Sequence, residues 1–206
     1  MRDRWLDIRK HHLNKLNLAL KEGRVDEGII PLLHAINEIE KYVTRSSCYG
    51  RVSFTIEEGL IKKGKGKIIF KKHGPIDMET IEKIVERVDN GILWMNIEGT
   101  IIHVASKTLV DAKKLLELSI QAGYKSSTLY SMSTRGITVE ILLSDKYSIP
   151  VYTHEKGLII SRNELKSIIK YIENRFRDIE NAKHKLINLL LEYKAYENTN
   201  RGAIHR

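Results

Sequence analysis

The sequence predicts an α+β fold: a helical N-terminal segment over residues 1–43, a mixed sheet built from strand–helix–strand units over 44–160, and a long C-terminal helix over 161–195, all within one domain spanning 1–206. Three observations carry that expectation. Apolar residues recur at three- and four-residue steps at both ends of the chain. Between them, runs with two-residue alternation interleave with amphipathic stretches. Two of those runs, Ser126 to Met132 and Ile137 to Leu143, are joined by the turn-like Ser133-Thr134-Arg135-Gly136, so hairpins stand among the crossovers and a doubly wound sheet is disfavoured.

In chain order, Trp5, Ile8, His12, Leu16 and Leu20 mark a first helix from about Arg4 to Lys21, with Gly23 as its stop. Asp26 offers an N-cap for a second helix carrying Ile29, Leu32, Leu33, Ile36 and Ile39. Pro31 lacks the backbone donor that a helix begun there needs, which leaves a kink or a late start at Pro31. Thr44 to Gly50 reads as a polar turn, and Val52, Phe54 and Ile56 then alternate with Arg51, Ser53 and Thr55 as in a half-buried strand. Lys67 to Lys72 is the next strand; Asp77 caps a helix with Met78, Ile81, Ile84, Val85 and Val88 on one face, Gly91 closes it, and Ile92 to Ile97 follows as a strand. A second unit repeats the plan with a Thr100 to Ser106 strand, a Thr108 and Asp111 cap pair, and a helix bearing Val110, Ala112, Leu115, Leu116 and Ile120 that ends at Gly123. At the offset between the two glycines (123 − 91 = 32), Ile69, Ile84 and Val88 match Ile101, Leu116 and Ile120, while Ile81 meets Lys113; a diverged duplication and a chance likeness both remain open. Ser161 and Glu164 form a capping box ahead of an apolar stripe from Leu165 to Tyr193, a helix of about 30 residues that crosses the domain, pairs with the first helix or meets a second chain. Residues 198–206 read as a loose tail.

Lys and Arg number 35 against 26 Asp and Glu, a formal charge of +9 that favours a polyanionic partner. With 42% hydrophobic and 30% charged residues the chain is not disordered as a whole. The single cysteine, Cys48, excludes an internal disulfide and a cysteine-built zinc cage, and points to a reducing, cytoplasmic setting. No stretch approaches the roughly 20 apolar residues of a membrane span, and the amino end lacks a signal-like apolar region. There is no Gly-x-Gly-x-x-Gly after a strand, no P-loop, no His-Glu-x-x-His and no Gly-x-Ser-x-Gly, so standard nucleotide and hydrolase sites are not expected.

Three features carry chemistry. In Gly59 to His73, Lys62, Lys63, Lys65, Lys67, Lys71 and Lys72 occur with no acid between glycines that permit bending; they suit an RNA phosphate backbone or, alternatively, a solubilising loop. Ser46 to Arg51 offers hydroxyls, backbone donors and a guanidinium fork able to hold a carboxylate or phosphate, against the plainer reading of a turn that starts a strand. His103 shares a strand face with Ile101 and Ala105, as a hydrogen-bonded core residue or as a base at the mouth of a pocket. His11 and His12 have no partner spacing for a metal, and no metal is expected.

The same residues resemble a known family. Gly23-Arg24-Val25-Asp26-Glu27, then Ile36-Asn37, then Ser46-Ser47-Cys48-Tyr49-Gly50-Arg51-Val52 are similar to the KG-x-VDE and SSCSGRI signature of the tRNA wybutosine-synthesizing protein 3 family. Ile101-Ile102-His103-Val104 resembles its ILHV, Asp111-Ala112 with Leu115-Leu116 its DA-xx-LL, Gly123 to Ser127 its GF-(R/K)-x-SG, and Ile149-Pro150 its closing VP, over roughly Gly23 to Val151. The departures are Tyr49 for Ser, Thr128 for Gly, and Leu142-Leu143-Ser144 where an Arg-Ser-Thr segment belongs.

The resemblance implies a non-Rossmann enzyme that uses S-adenosyl-L-methionine to methylate N-4 of the tricyclic 7-(3-amino-3-carboxypropyl)-4-demethylwyosine at position 37 of tRNA(Phe), beside the anticodon, in archaea and eukaryotes. It implies Ser47, Arg51 and Ser127 as cofactor-binding residues and His103 as the catalytic base. Arg51 and Ser47 anchor either the methionine carboxylate or a tRNA phosphate. The expected geometry has Arg51 on the polar face with Ser53 and Thr55, near Ser47, and His103, Ser127 and Ser47 around one cleft. A non-catalytic RNA-binding module is the alternative.

Overall fold

The computed structural model, which describes residues 4–57, 66–133, 136–143 and 146–204, begins as the periodicity predicts with α1 (Arg4–Lys21). One 3-10 turn (Glu27–Ile29) leads into α2 (Ile30–Asn37), with Pro31 in the first turn, where a missing donor costs nothing: the late start. The predicted polar turn is instead β1 (Tyr42–Cys48), whose Tyr42, Val43 and Thr44 are buried. Then follow β2 (Arg51–Glu57), β3 (Lys67–Lys72), α3 (Met78–Val85), β4 (Ile92–Glu98), β5 (Ile101–Ser106), α4 (Leu109–Ala122), β6 (Thr128–Ser133) and β7 (Gly136–Leu142), in the order expected. Three of the four predicted caps form: the Asp77 carboxylate accepts from Thr80 N–H, and Thr108 with Asp111 and Ser161 with Glu164 cap each other's backbone; Asp26 makes no side-chain cap bond, its carboxylate accepting instead from Tyr49 N–H. β8 (Tyr147–Thr153) and the two-residue β9 (Gly157–Leu158) have no counterpart in the sequence reading. α5 (Arg162–Ile204) runs on through the supposed loose tail.

The expected mixed sheet is two antiparallel sheets, ordered β1-β5-β7-β6 and β3-β2-β4-β8-β9. In each, the two strands joined by a helical crossover run parallel but are separated by an antiparallel strand: β7 lies between β5 and β6, and β2 lies between β3 and β4. No parallel ladder is needed, so the α+β class holds while the mixed pairing does not.

The chain divides into two compact units, Met1–Tyr49 with Thr100–Ser144 and Ile179–Arg206, and Gly50–Gly99 with Asp145–Asp178. The first holds the four-stranded sheet. Val104, Ile102, Val139 and Ile141 are wholly buried on the α4 side, and Trp5 of α1 packs with Val43 and Ala105 on the other. The second holds the five-stranded sheet, with Phe54, Leu93, Met95 and Val151 fully buried. Among the described residues no helix is long and apolar enough to cross a membrane.

Candidate active site

The site of the first unit is built on β1. Asn37, buried at the end of α2, donates from Nδ2 to Thr44 Oγ1 (2.8 Å) and accepts from the Thr44 N–H (2.9 Å), pinning the strand at that residue. Directly after it the register with β5 shifts, so Arg45 is an extra residue and Ser46 rather than Arg45 lies opposite His103. Ser46 Oγ is 2.9 Å from His103 Nδ1, and Glu140 of β7, opposite on the other side, has Oε2 2.9 Å from His103 Nε2. A carboxylate accepts the Nε2–H, which leaves Nδ1 as acceptor for the Ser46 hydroxyl. The Tyr130 ring lies 4.7 Å from the imidazole and is 61% exposed, so the cluster is reachable from solvent.

Beside β1, an edge strand, two clefts of about 450 Å³ each open against α1. Lys15, Arg45, Ser46 and Ser47 line the first together with the apolar Leu16 and Leu33. Arg4, His11, His12, Lys15 and Arg45 line the second. Burial, with Arg45, His11 and Lys15 close by, pushes the His12 imidazole down to about 4, so it is neutral at physiological pH.

The other anticipated residues fall as follows. Ser47 lies opposite Ile102 and lines the first cleft but does not face His103. Ser127 is buried and its hydroxyl is engaged, donating to Tyr124 O (2.7 Å) and accepting from Leu142 N–H (3.1 Å); Thr128, next to it, is separated from His103 by β7. Ser127 is therefore not brought beside His103: it pins the departure segment, where Leu143 N–H donates to Thr100 O. Arg51, in the second unit, shares a strand face with Ser53 and Thr55 as expected, but its Nε is ion-paired with Glu98, which Lys146 also approaches (3.1 Å). Burial pushes the Glu98 carboxyl up, and the bonds from Arg51 and Lys146 outweigh this and hold it below the usual range. Lys67 is exposed at the start of β3; Lys62, Lys63 and Lys65 lie outside the described residues. The sequence reading missed Glu140, Tyr130 and Arg45. Only strand register reveals the first two, and only the bulge the third.

Comparison with known proteins gives this arrangement a context. A family model described as Methyltransferase TYW3 matches residues 7–192. The chain belongs to the TYW3 methyltransferase family. It is 34% identical over 170 residues to the tRNA(Phe) 7-((3-amino-3-carboxypropyl)-4-demethylwyosine(37)-N(4))-methyltransferase 1 of Pyrococcus horikoshii, covering 82% of this chain and 86% of that protein. It is 32% identical over 191 residues to the corresponding methyltransferase of Methanocaldococcus jannaschii, covering 92% and 98%. Among solved structures, the PH1069 protein from Pyrococcus horikoshii superposes with a TM-score of 0.84 at 30% identity, covering 91% of this chain and 96% of that one. Membership of the TYW3 family makes the protein a methyltransferase, and both the Ser46–Ser47 pair and His103 stand on segments that the family signature resembles.

Proposed function

We propose that the protein transfers a methyl group from S-adenosyl-L-methionine to N-4 of 7-(3-amino-3-carboxypropyl)-4-demethylwyosine at position 37 in the anticodon loop of tRNA(Phe), acting in the cytoplasm. The relatives named for that reaction support the substrate. The observation that carries the reading is the Ser46–His103–Glu140 relay, facing solvent beside a cleft that mixes cationic, hydroxyl and apolar groups.

The donor set of that cleft fits the amino-acid end of S-adenosylmethionine: Lys15, Arg45 and Ser47 suit a carboxylate, and Leu16 with Leu33 supplies an apolar wall. When bound, the cofactor supplies the methyl group as an already activated sulfonium. The chain's own share is placement and proton removal, the first worth up to about 7 to 11 kcal/mol and the second about 10²- to 10⁴-fold in rate. Ser46 donates to Nδ1 of His103 and takes the N-4 proton as its own passes to that nitrogen, while Glu140 fixes the ring through Nε2 and stabilises the imidazolium that forms. Arg51 and Ser127 order their segments through Glu98 and Leu142. Lys62, Lys63, Lys65 and Lys67 are assigned to tRNA phosphates on charge alone.

Equilibrium binding of S-adenosylmethionine to the purified protein tests the reading. Binding is expected, weakened about tenfold or more in Arg45→Ala, the loss of one charge-assisted contact. No binding by the wild type would favour the RNA-binding module instead.

A further inference from the structure

The second cleft beside α1 shares Lys15 and Arg45 with the first and extends past them to Arg4 and His11, which the chemistry above does not use. Arg4, His11 and Lys15 stand at positions i, i+7 and i+11, which places them within about 40° of one another on one helix face along about 16 Å of axis. Arg45 closes the opposite wall from β1, its Nη1 donating to Thr138 Oγ1 (2.8 Å). Asp7 is the one acid among the lining residues, and no carboxylate among the described residues pairs with Arg4, Lys15 or Arg45. A groove of that length, with Arg4 and Lys15 on one wall and Arg45 on the other, matches the repeated charge of a nucleic-acid strand better than a single small anion.

We propose that this groove is a phosphodiester track for the single-stranded RNA flanking the target base, and that binding there places a proton on His12. The substrate strand rests on the tRNA reading above; the track itself does not require methyl transfer. Burial first, and then the charges of Arg45 from β1 and of His11 and Lys15 from α1, keep the His12 imidazole neutral in the free protein; Arg4 and Asp7 line the same cleft, and Arg24 lines the first cleft with it. A phosphate lying between those cations reverses the local field and favours the imidazolium. The sign follows. Because the free imidazole titrates at about 4, the bound complex takes up a proton at any pH between that value and the higher one set by the phosphate, so affinity rises as pH falls through this window.

The test uses the full chain and a short, labelled, unmodified single-stranded RNA of mixed sequence, followed by anisotropy across salt and pH and by calorimetry in two buffers of different ionisation enthalpy. Arg4→Gln with Lys15→Gln is expected to flatten the log-log salt slope by about 1.4, or 0.7 for each phosphate neutralised. His12→Gln is expected to abolish proton uptake and the gain in affinity at lower pH, which in the wild type reaches at most about tenfold per pH unit, whereas His11→Gln keeps both. Circular dichroism verifies that each variant is folded. An unchanged salt slope, proton uptake that survives His12→Gln, or displacement of the probe by inorganic phosphate with no dependence on Arg4 and Lys15 would overturn the track. Since the probe carries neither target base nor methyl donor, failure of methyl transfer alone would sink the enzymatic reading and leave this result standing.

Discussion

Tyr49, which departs from the SSCSGRI signature that its segment resembles, is held by contacts on every side of its ring and backbone. Its hydroxyl is hydrogen-bonded to Glu180 of α5, its N–H donates to Asp26 (2.9 Å), and the Lys183 ammonium sits 5.6 Å from the ring centroid. Burial, together with Glu180, pushes the phenol well above its ordinary value, so it stays a donor throughout the physiological range. The ring leaves no room beside Gly28: a Cβ there would meet three ring carbons at 3.0 to 3.2 Å. Gly28→Ala should therefore cost about 1 to 3 kcal/mol by overpacking, and the cost should largely vanish in a Tyr49→Ser background. Urea titrations of the four proteins in that cycle check this, and equal losses in both backgrounds would show the clash is not with Tyr49.

At the scale of elements, β1 decides the site and was the element least legible in the sequence. Its outer half is Thr, Arg, Ser and Ser, which by composition reads as a turn; what makes it a strand is a tertiary partner, β5, and the Asn37 side chain that satisfies Thr44 twice. Asn37→Ala leaves a buried N–H and hydroxyl without partners and should cost about 1 to 3 kcal/mol while loosening the bulge that aims Ser46. Denaturant unfolding should show the loss and methyl transfer should fall with it; a variant as stable as the wild type would contradict the pin. β8 escaped the sequence for the opposite reason. Pro150 argues against a strand, but it sits where the β4 pairing shifts register, a place where a missing donor is tolerated. The starts of the helices, by contrast, were legible to within a residue or two, since Thr108 with Asp111 and Ser161 with Glu164 act locally, whereas the ends of α3 and α5 were not.

For the whole molecule, the α+β class followed from local pattern, whereas the division into two antiparallel sheets depends on which distant strands pair, and no local pattern states that. The same holds for the site: His103 was singled out by its motif, but Glu140 enters only through the β5–β7 register. A stability consequence belongs at this scale. The carboxyl of Glu98 is held below its usual range in the folded state by Arg51 and Lys146, against the effect of burial. Its contribution is thus fully present above the unfolded value of about 4.3 and is lost as pH falls through the lower folded value. Unfolding free energy should decline in that acid window, and Glu98→Gln should flatten the decline; parallel profiles for the two proteins would remove Glu98 as a cause.

The measurement that bears most directly on the central claim is single-turnover transfer of a labelled methyl group from S-adenosylmethionine to tRNA(Phe) carrying the 4-demethyl tricyclic base. Wild-type protein is expected to label N-4 of that base, and His103→Ala to slow the step by about 10²- to 10⁴-fold while binding the cofactor as before. Transfer by His103→Ala at the wild-type rate would contradict the base role, and no transfer by the wild type would contradict the assigned reaction.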